Sequence, residues 1–234
     1  MRIIAGEFRG RLLVEPRFDT TRPITDRAKQ SLFDILSPIL EDAVVYDCFC
    51  GTGSMGLECL SRGARHATFF DMDRHALAGL KKNIETLGVQ DRATVMASDI
   101  FKLLPVPRSG EPLTPPPPGE AGWGRGASNG DRLSKDAPRP HLTSPGGGGT
   151  GDVSLLFFDP PYPFLREKPA QLIDLMTRLL HHRLAPDATI LFRHDTADAL
   201  TLPGLVQTDL RTYGGMAIEI LRPANPANEP SQAE

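Results

Sequence analysis

No stretch of the 234-residue chain approaches the roughly 20 consecutive apolar residues that a membrane-spanning helix needs. That absence excludes helical insertion and sets the expectation of a soluble protein. Cysteine is scarce: Cys48, Cys50 and Cys59 form an odd, clustered set with no secretory leader ahead of them. An odd set of this kind excludes a disulfide framework and points to a reducing, cytoplasmic setting. No nearby Cys or His completes a four-coordinate zinc site around Cys48 and Cys50, so no metal is expected and small thiols packed around a tight loop are the simpler reading. An excess of positive charge is also missing, the formal net charge being -3. This excludes an overall basic protein but not a nucleic-acid partner, because a local basic face suffices for phosphate contacts. Residues 1–30 supply one candidate, with seven basic side chains against four acidic ones. A solvated surface explains the same excess without any partner.

What is plentiful in the middle of the chain is proline and glycine. Residues 105–151 contain 21 of them in 47 positions, well beyond the roughly 25–30% that marks low-complexity sequence. Such a segment cannot bury enough apolar surface to offset its chain entropy, so a disordered insertion is expected, carrying the single tryptophan, Trp123. It interrupts a domain, since a core strand follows directly. The expected organisation is therefore an N-terminal hairpin-and-helix extension over residues 1–40 and one domain over 41–234, broken at 105–151.

Around the insertion, strand and helix patterns alternate. RIIAGEFRGRLL has the short β-rich pieces and glycines of a hairpin. TDRAKQSLFDILSPIL begins with Thr25 as N-cap and places Leu32, Phe33, Ile35, Leu36, Ile39 and Leu40 on one helical face. AVVYDCFC, HATFFDMD, RATVMASDIF, VSLLFFD and ATILFRHD read as strands. GSMGLECLSRG, RHALAGLKKNIETLG and KPAQLIDLMTRLLHHRL read as helices between them, and a hairpin closes the chain from about Leu205 to Leu221. The pattern predicts an α/β fold: a mostly parallel sheet with helices on both faces, a C-terminal antiparallel hairpin, and a small N-terminal β-hairpin and helix.

The stretch LLFFDPPYPF carries the sharpest signal. Its four apolar residues suit a strand buried on both faces. Prolines cannot continue a sheet interior, so the chain must leave at Asp159 in a direction fixed by two locked φ angles. Ligands of open α/β sheets bind outside the carboxyl ends of the strands, which makes this rigid corner a candidate site. Three further strands also end in acids, at Asp47, Asp71 and Asp99. The first strand runs into Gly51, Gly53 and Gly56, which satisfy G-x-G-x-x-G, and Asp71 follows Gly51 by the spacing of a ribose-binding acid. A dinucleotide fits that pattern. Asp47 argues against it, because a carboxylate four residues before the first glycine would face a pyrophosphate, whereas it suits a ligand bearing an ammonium group, such as the methionine end of S-adenosylmethionine. Asp99 is placed to accept a hydrogen bond from an exocyclic amine such as that of adenine, although a lone acid there is equally a turn residue.

The combination Asp47-x-Phe49-x-Gly51-x-Gly53, the FFDMDR strand end and Asp159-Pro160-Pro161-Tyr162 resembles class I S-adenosylmethionine-dependent methyltransferases that modify exocyclic amines. MRIIAGEFRGRLL, TRPITDRAKQSLFDIL, DCFCGTGSMGLECLSRGA and RTYGGMAIEIL are similar, in order and spacing, to the bacterial RsmD family, which methylates the guanine N2 amine of small-subunit ribosomal RNA. The resemblance covers nearly the whole chain outside 105–151 and the last dozen residues. The departures are that insertion and Cys50, where such loops often carry a smaller residue.

The resemblance implies a Rossmann-like class I methyltransferase fold. It implies S-adenosyl-L-methionine held by Asp47, Phe49, Gly51, Gly53, Asp71 and Asp99, and a catalytic corner of Asp159, Pro160, Pro161 and Tyr162. A guanine amino nitrogen is a poor nucleophile until acceptors hold its hydrogens, and Asp159 with the Pro160 carbonyl would supply two, while Tyr162 would stack on the extruded base. Arg9, Arg11, Arg22 and Arg27 are the candidate RNA contacts, and ribosomal RNA within a partly assembled small subunit is the implied partner. Two other classes share parts of the pattern. A DNA adenine-N6 or cytosine-N4 methyltransferase could use the same corner but has little sequence left for a recognition region. A dinucleotide oxidoreductase leaves Asp47 and residues 159–162 without a purpose.

Overall fold

The computed structural model describes residues 1–14, 24–102 and 153–224. The expected insertion at 105–151, including Trp123, and Arg22 lie outside the described residues. Among the described residues seven strands form one sheet: β1 (Val44–Cys48), β2 (His66–Asp71), β3 (Ala93–Ala97), β4 (Val153–Phe158), β5 (Leu184–Asp195), β6 (Leu205–Tyr213) and β7 (Met216–Pro223). Their order is β3-β2-β1-β4-β5-β7-β6. The first five are parallel, while β7 runs antiparallel to both β5 and β6. Helices α1 (Asp26–Leu36), α2 (Ser54–Ser61), α3 (Arg74–Leu87), α4 (Tyr162–Glu167) and α5 (Pro169–His182) complete the fold.

The apolar run of β4 alternates between the two faces of the sheet. Leu155 and Phe157 pack with α1, α2 and α3 through Leu32, Phe33, Leu57 and Leu80. Leu156 and Phe158 pack with α5 through Leu172, Leu175, Met176 and Leu179. Each such side chain taken from water contributes about 1.5–3 kcal/mol, so a strand loaded on both faces is held at the middle of the sheet. Its neighbour β1 pairs with β2 on one side and β4 on the other. Successive connections therefore leave β1 in opposite directions, and the crevice at that switch opens at the ends of β1 and β4, where Cys48 is opposite Phe158.

Several local expectations hold. Thr25 caps α1 by accepting from the Ala28 amide, and Gly88 ends α3 in the left-handed conformation. The N-terminal hairpin is present but short: Arg2 bridges Leu12, the Ile3, Gly10 and Leu13 amides donate to the Arg11, Ile3 and Met1 carbonyls, and the pairing ends there because the Ile4 and Ala5 amides donate to the Glu58 carboxylate and that of Phe8 to the Ser61 hydroxyl. Gly6, at φ 84°, rests so closely on α2 that a Cβ there would sit 1.8 Å from the Ser61 carbonyl oxygen. The buried arc of α1 is centred on Lys29, Leu32, Phe33 and Leu36, and Ile35 is left exposed at its rim. Past Leu36 a 3-10 turn at Ser37–Ile39 breaks the helical phase, yet Ile39 still packs against the same core and Leu40 is buried in it.

Candidate active site

The turn after β1 positions the first half of the site. Phe49, Gly51 and Gly53 all have positive φ, 61°, 56° and 79°. For a phenylalanine this conformation costs on the order of 1–3 kcal/mol and persists only where its surroundings impose it. Here the ring packs against Phe101, Phe158 and Phe164 at 6.0, 5.9 and 6.2 Å. Asp71, at the end of β2, ties this turn to the neighbouring strand: one carboxylate oxygen accepts from the Gly51 amide at 2.7 Å and the other from the Asp73 amide at 2.9 Å. Asp73 itself is the N-cap of α3.

A cleft of about 580 Å³ opens above this turn, lined among others by Phe49, Asp71, Asp99, Phe101, Pro161 and Phe164. Asp99 lies two residues beyond β3 and accepts from the Phe101 amide, so the turn role and the position on the cleft coincide. Phe49, Phe101 and Phe164 form an aromatic wall, with the Lys168 ammonium 4.1 Å from the Phe164 ring centroid. Phe101 and Phe164 were not singled out from sequence. Their only signal is that each follows a strand-end acid by two and five residues respectively.

Asp47 sits beneath the cleft instead of on it. It is 2% exposed and accepts from the Gly56 amide of α2 at 2.9 Å. Burial, reinforced by Asp159 and Asp71, pushes its carboxyl up to about 8 against the Gly56 hydrogen bond and Arg193. Gly56 has no room for a side chain, since a Cβ would meet the Phe69 ring at 2.4 Å.

The corner after β4 forms the second half. Pro160 is buried, Pro161 borders the 580 Å³ cleft, and Tyr162 starts α4. Tyr162 lines a separate recess of about 320 Å³ together with Pro163, Arg166, Glu167 and Asp195. The corner thus stands between two hollows. Asp159 is half-buried and receives the Arg193 Nε at 2.7 Å. Burial raises its pKa and Arg193 works in the opposite direction. Arg193 was also missed from sequence, because it falls inside the apolar strand ATILFRHD with nothing local to mark it.

The basic N-terminal surface is smaller than the residue count implies. Arg9, Arg11 and Arg27 are exposed. Lys29 is buried, its ammonium 2.9 Å from Glu58 and 3.0 Å from the Ser54 hydroxyl. Arg2 pairs with Asp26. Among the described residues no group of three or more His, Cys, Asp or Glu side chains is arranged to hold a metal, and no helix is long and apolar enough to cross a membrane. Cys48, Cys50 and Cys59 are free thiols, pushed well above their usual pKa by burial.

Comparison with known proteins places this geometry in a family. The family model described as Conserved hypothetical protein 95 matches residues 1–114. Ribosomal RNA small subunit methyltransferase D of Escherichia coli (strain K12) is 48% identical over 87 residues, 37% of this chain and 44% of that relative, so the match spans less than half of the relative's length. YlbH of Bacillus subtilis (strain 168) is 30% identical over 223 residues, 93% of this chain and 97% of its own. The solved structure of Escherichia coli yhhF superposes with a TM-score of 0.67 at 27% identity, covering 96% of this chain and 99% of the other. The sheet order, the mostly parallel pairing and the terminal antiparallel hairpin are those of a class I methyltransferase fold. The chain belongs to the RsmD family.

Proposed function

We propose that this protein is an S-adenosylmethionine-dependent methyltransferase acting on the N2 amine of a guanine in small-subunit ribosomal RNA. The observation that carries the reading is the Asp159-Pro160-Pro161-Tyr162 corner between two hollows, since methyl transfer to a base needs a cofactor chamber and a base chamber that meet at one acceptor-rich point. The name of the Escherichia coli relative supports RNA of the small ribosomal subunit as the substrate class. Such a substrate puts the reaction in the cytoplasm.

The residues present fit the cofactor. Asp71 keeps a second lone pair on each oxygen for a ribose diol, and the aromatic wall with Asp99 suits an adenine and its amino group. At Gly51 no atom lies within 4 Å of where a Cβ would be, so the backbone is open to close approach by a ligand. Asp47, beneath the turn, is held neutral below about pH 8 by burial, and an ammonium bound above it would favour its ionised form. When bound, S-adenosylmethionine supplies a methyl group on a sulfonium centre. Transfer would form an N–C bond to the amine at the expense of the cofactor's C–S bond, whose electrons would stay on sulfur, and the amine's extra proton would leave to solvent.

The chain's own contribution is positioning and electrostatics. Asp159 and the Pro160 carbonyl accept the two amine hydrogens and favour a pyramidal nitrogen whose lone pair is no longer delocalised into the ring. The two prolines fix the direction of that carbonyl. Tyr162 offers its ring to the base extruded into the recess. Arg9, Arg11, Arg22 and Arg27 contact RNA phosphates or the target loop. Nucleoside mass spectrometry of ribosomal RNA from cells with and without the gene tests the assignment: loss of N2-methylguanosine from small-subunit RNA is expected, and an unchanged profile contradicts it.

A further inference from the structure

Arg193, paired with Asp159 at the corner, is a charged side chain that the mechanism above does not use. It belongs to β5, whose pairing with β4 sets Phe192 opposite Phe158, so the next residue on each strand brings Arg193 beside Asp159. On its other side β7 presents Ile218. Both charged groups are largely withdrawn from water, with 15% and 26% of their side-chain surfaces exposed, and Nε to Oδ1 is 2.7 Å. The groups facing this pair are mostly acidic. Asp47 approaches from β1 and Tyr162 from α4, while Asp195 lies two residues along β5, on the rim of the recess with Arg166 and Glu167. His194 and Glu219 pair with each other on the opposite face of β5.

Resting on the methyltransferase reading, we propose that Arg193 is a positioning residue for methyl transfer: it holds Asp159 as an ionised acceptor, occupying Oδ1 and leaving Oδ2 for the amine of the incoming base. Without a cation beside it, a carboxyl as withdrawn from water as Asp159 favours its protonated form, as the buried Asp47 does. A protonated Asp159 has one acceptor oxygen fewer and no charge to favour the nitrogen as it turns positive. A cation fixed by the sheet register, and not by a mobile loop, makes that ionisation part of the resting enzyme. On balance burial raises the Asp159 pKa, and Arg193 is the group that opposes it.

The test is kcat and KM against pH for the wild type, Arg193→Gln and Arg193→Lys, with small ribosomal subunits as substrate and S-adenosylmethionine binding followed by calorimetry. In Arg193→Gln the acid limb of kcat should move to higher pH by about one unit or more, with the activity regained towards alkaline pH and KM for subunits little changed. Arg193→Lys, which keeps the charge, should restore most of the wild-type profile. An unmoved limb, or a loss confined to KM as expected of a phosphate contact, would overturn the inference. Should Arg193→Gln fail to fold, the carboxyl carbon of Asp159 in the wild type, assigned by its absence in Asp159→Asn, is read by NMR at the assay pH: a carboxylate signal supports the proposal and a protonated one overturns it. Absence of methyl transfer by the wild type would instead refute the functional reading on which this one rests.

Discussion

Pro161 and Tyr162, adjacent in the chain, border different hollows: Pro161 the 580 Å³ cleft reached from the glycine turn, Tyr162 the 320 Å³ recess beside α4. The peptide between them is the partition, and Asp159 stands at its root on the end of β4. That arrangement makes four sets of residues separable by experiment.

Asp47 gives a pH dependence of known sign. Its folded pKa, about 8, lies above the roughly 3.9 of an unfolded aspartate. A raised pKa contributes stability that is complete below the unfolded value and is lost as pH rises through the folded one. Between about pH 4 and 8 the wild type should therefore lose stability relative to Asp47→Asn, which has no proton to give up, and melting temperatures measured across that range should converge towards the acid end. A constant difference would mean that Asp47 is ionised throughout.

Glu58 joins the N-terminal segment to the domain. It is fully buried and receives the Ile4 and Ala5 amides, the Lys29 ammonium and the Arg62 guanidinium. Breaking a buried ion pair by removing one partner costs about 3–5 kcal/mol. Glu58→Ala should lose about that much in urea unfolding and should expose the first residues to limited proteolysis. A change within 0.5 kcal/mol, roughly that of an ordinary surface substitution, would show that Lys29 finds water or another acceptor.

Arg9 and Arg11 are exposed on that same segment. If they contact RNA phosphates, replacing both by Ala should flatten the salt dependence of RNA binding by roughly one unit of slope per lost contact, with little effect on cofactor affinity. An unaltered slope returns them to the solvated surface.

The sheet was legible in the sequence because its signals are local: the both-face apolar run of β4, the capping of α1 by Thr25 and the Gly88 stop of α3 each depend on residues within a few positions. The acids at strand ends were legible for the same reason. What escaped was whatever depends on the register between distant strands. Arg193 meets Asp159 only because β5 pairs with β4, and Phe101 and Phe164 meet Phe49 only once β3, β4 and the glycine turn are assembled. Lys29 was counted as a surface cation although it lies at the centre of the apolar stripe of α1 beside Leu32, Phe33 and Leu36. Its partner, Glu58, is the one charged residue of the buried helix α2, and those two anomalies together were the available sign of a buried pair.

The central claim is that Asp159 acts on the reacting amine and not on the cofactor. Single-turnover methyl transfer to small ribosomal subunits by Asp159→Ala, measured beside calorimetric titration of the same preparation with S-adenosylmethionine, tests it most directly. The account predicts that kcat falls by about a hundredfold or more while cofactor affinity stays within about a factor of three, as expected for an interaction that matters mainly in the transition state. Near-normal turnover, or a loss explained wholly by weaker cofactor binding, would contradict it.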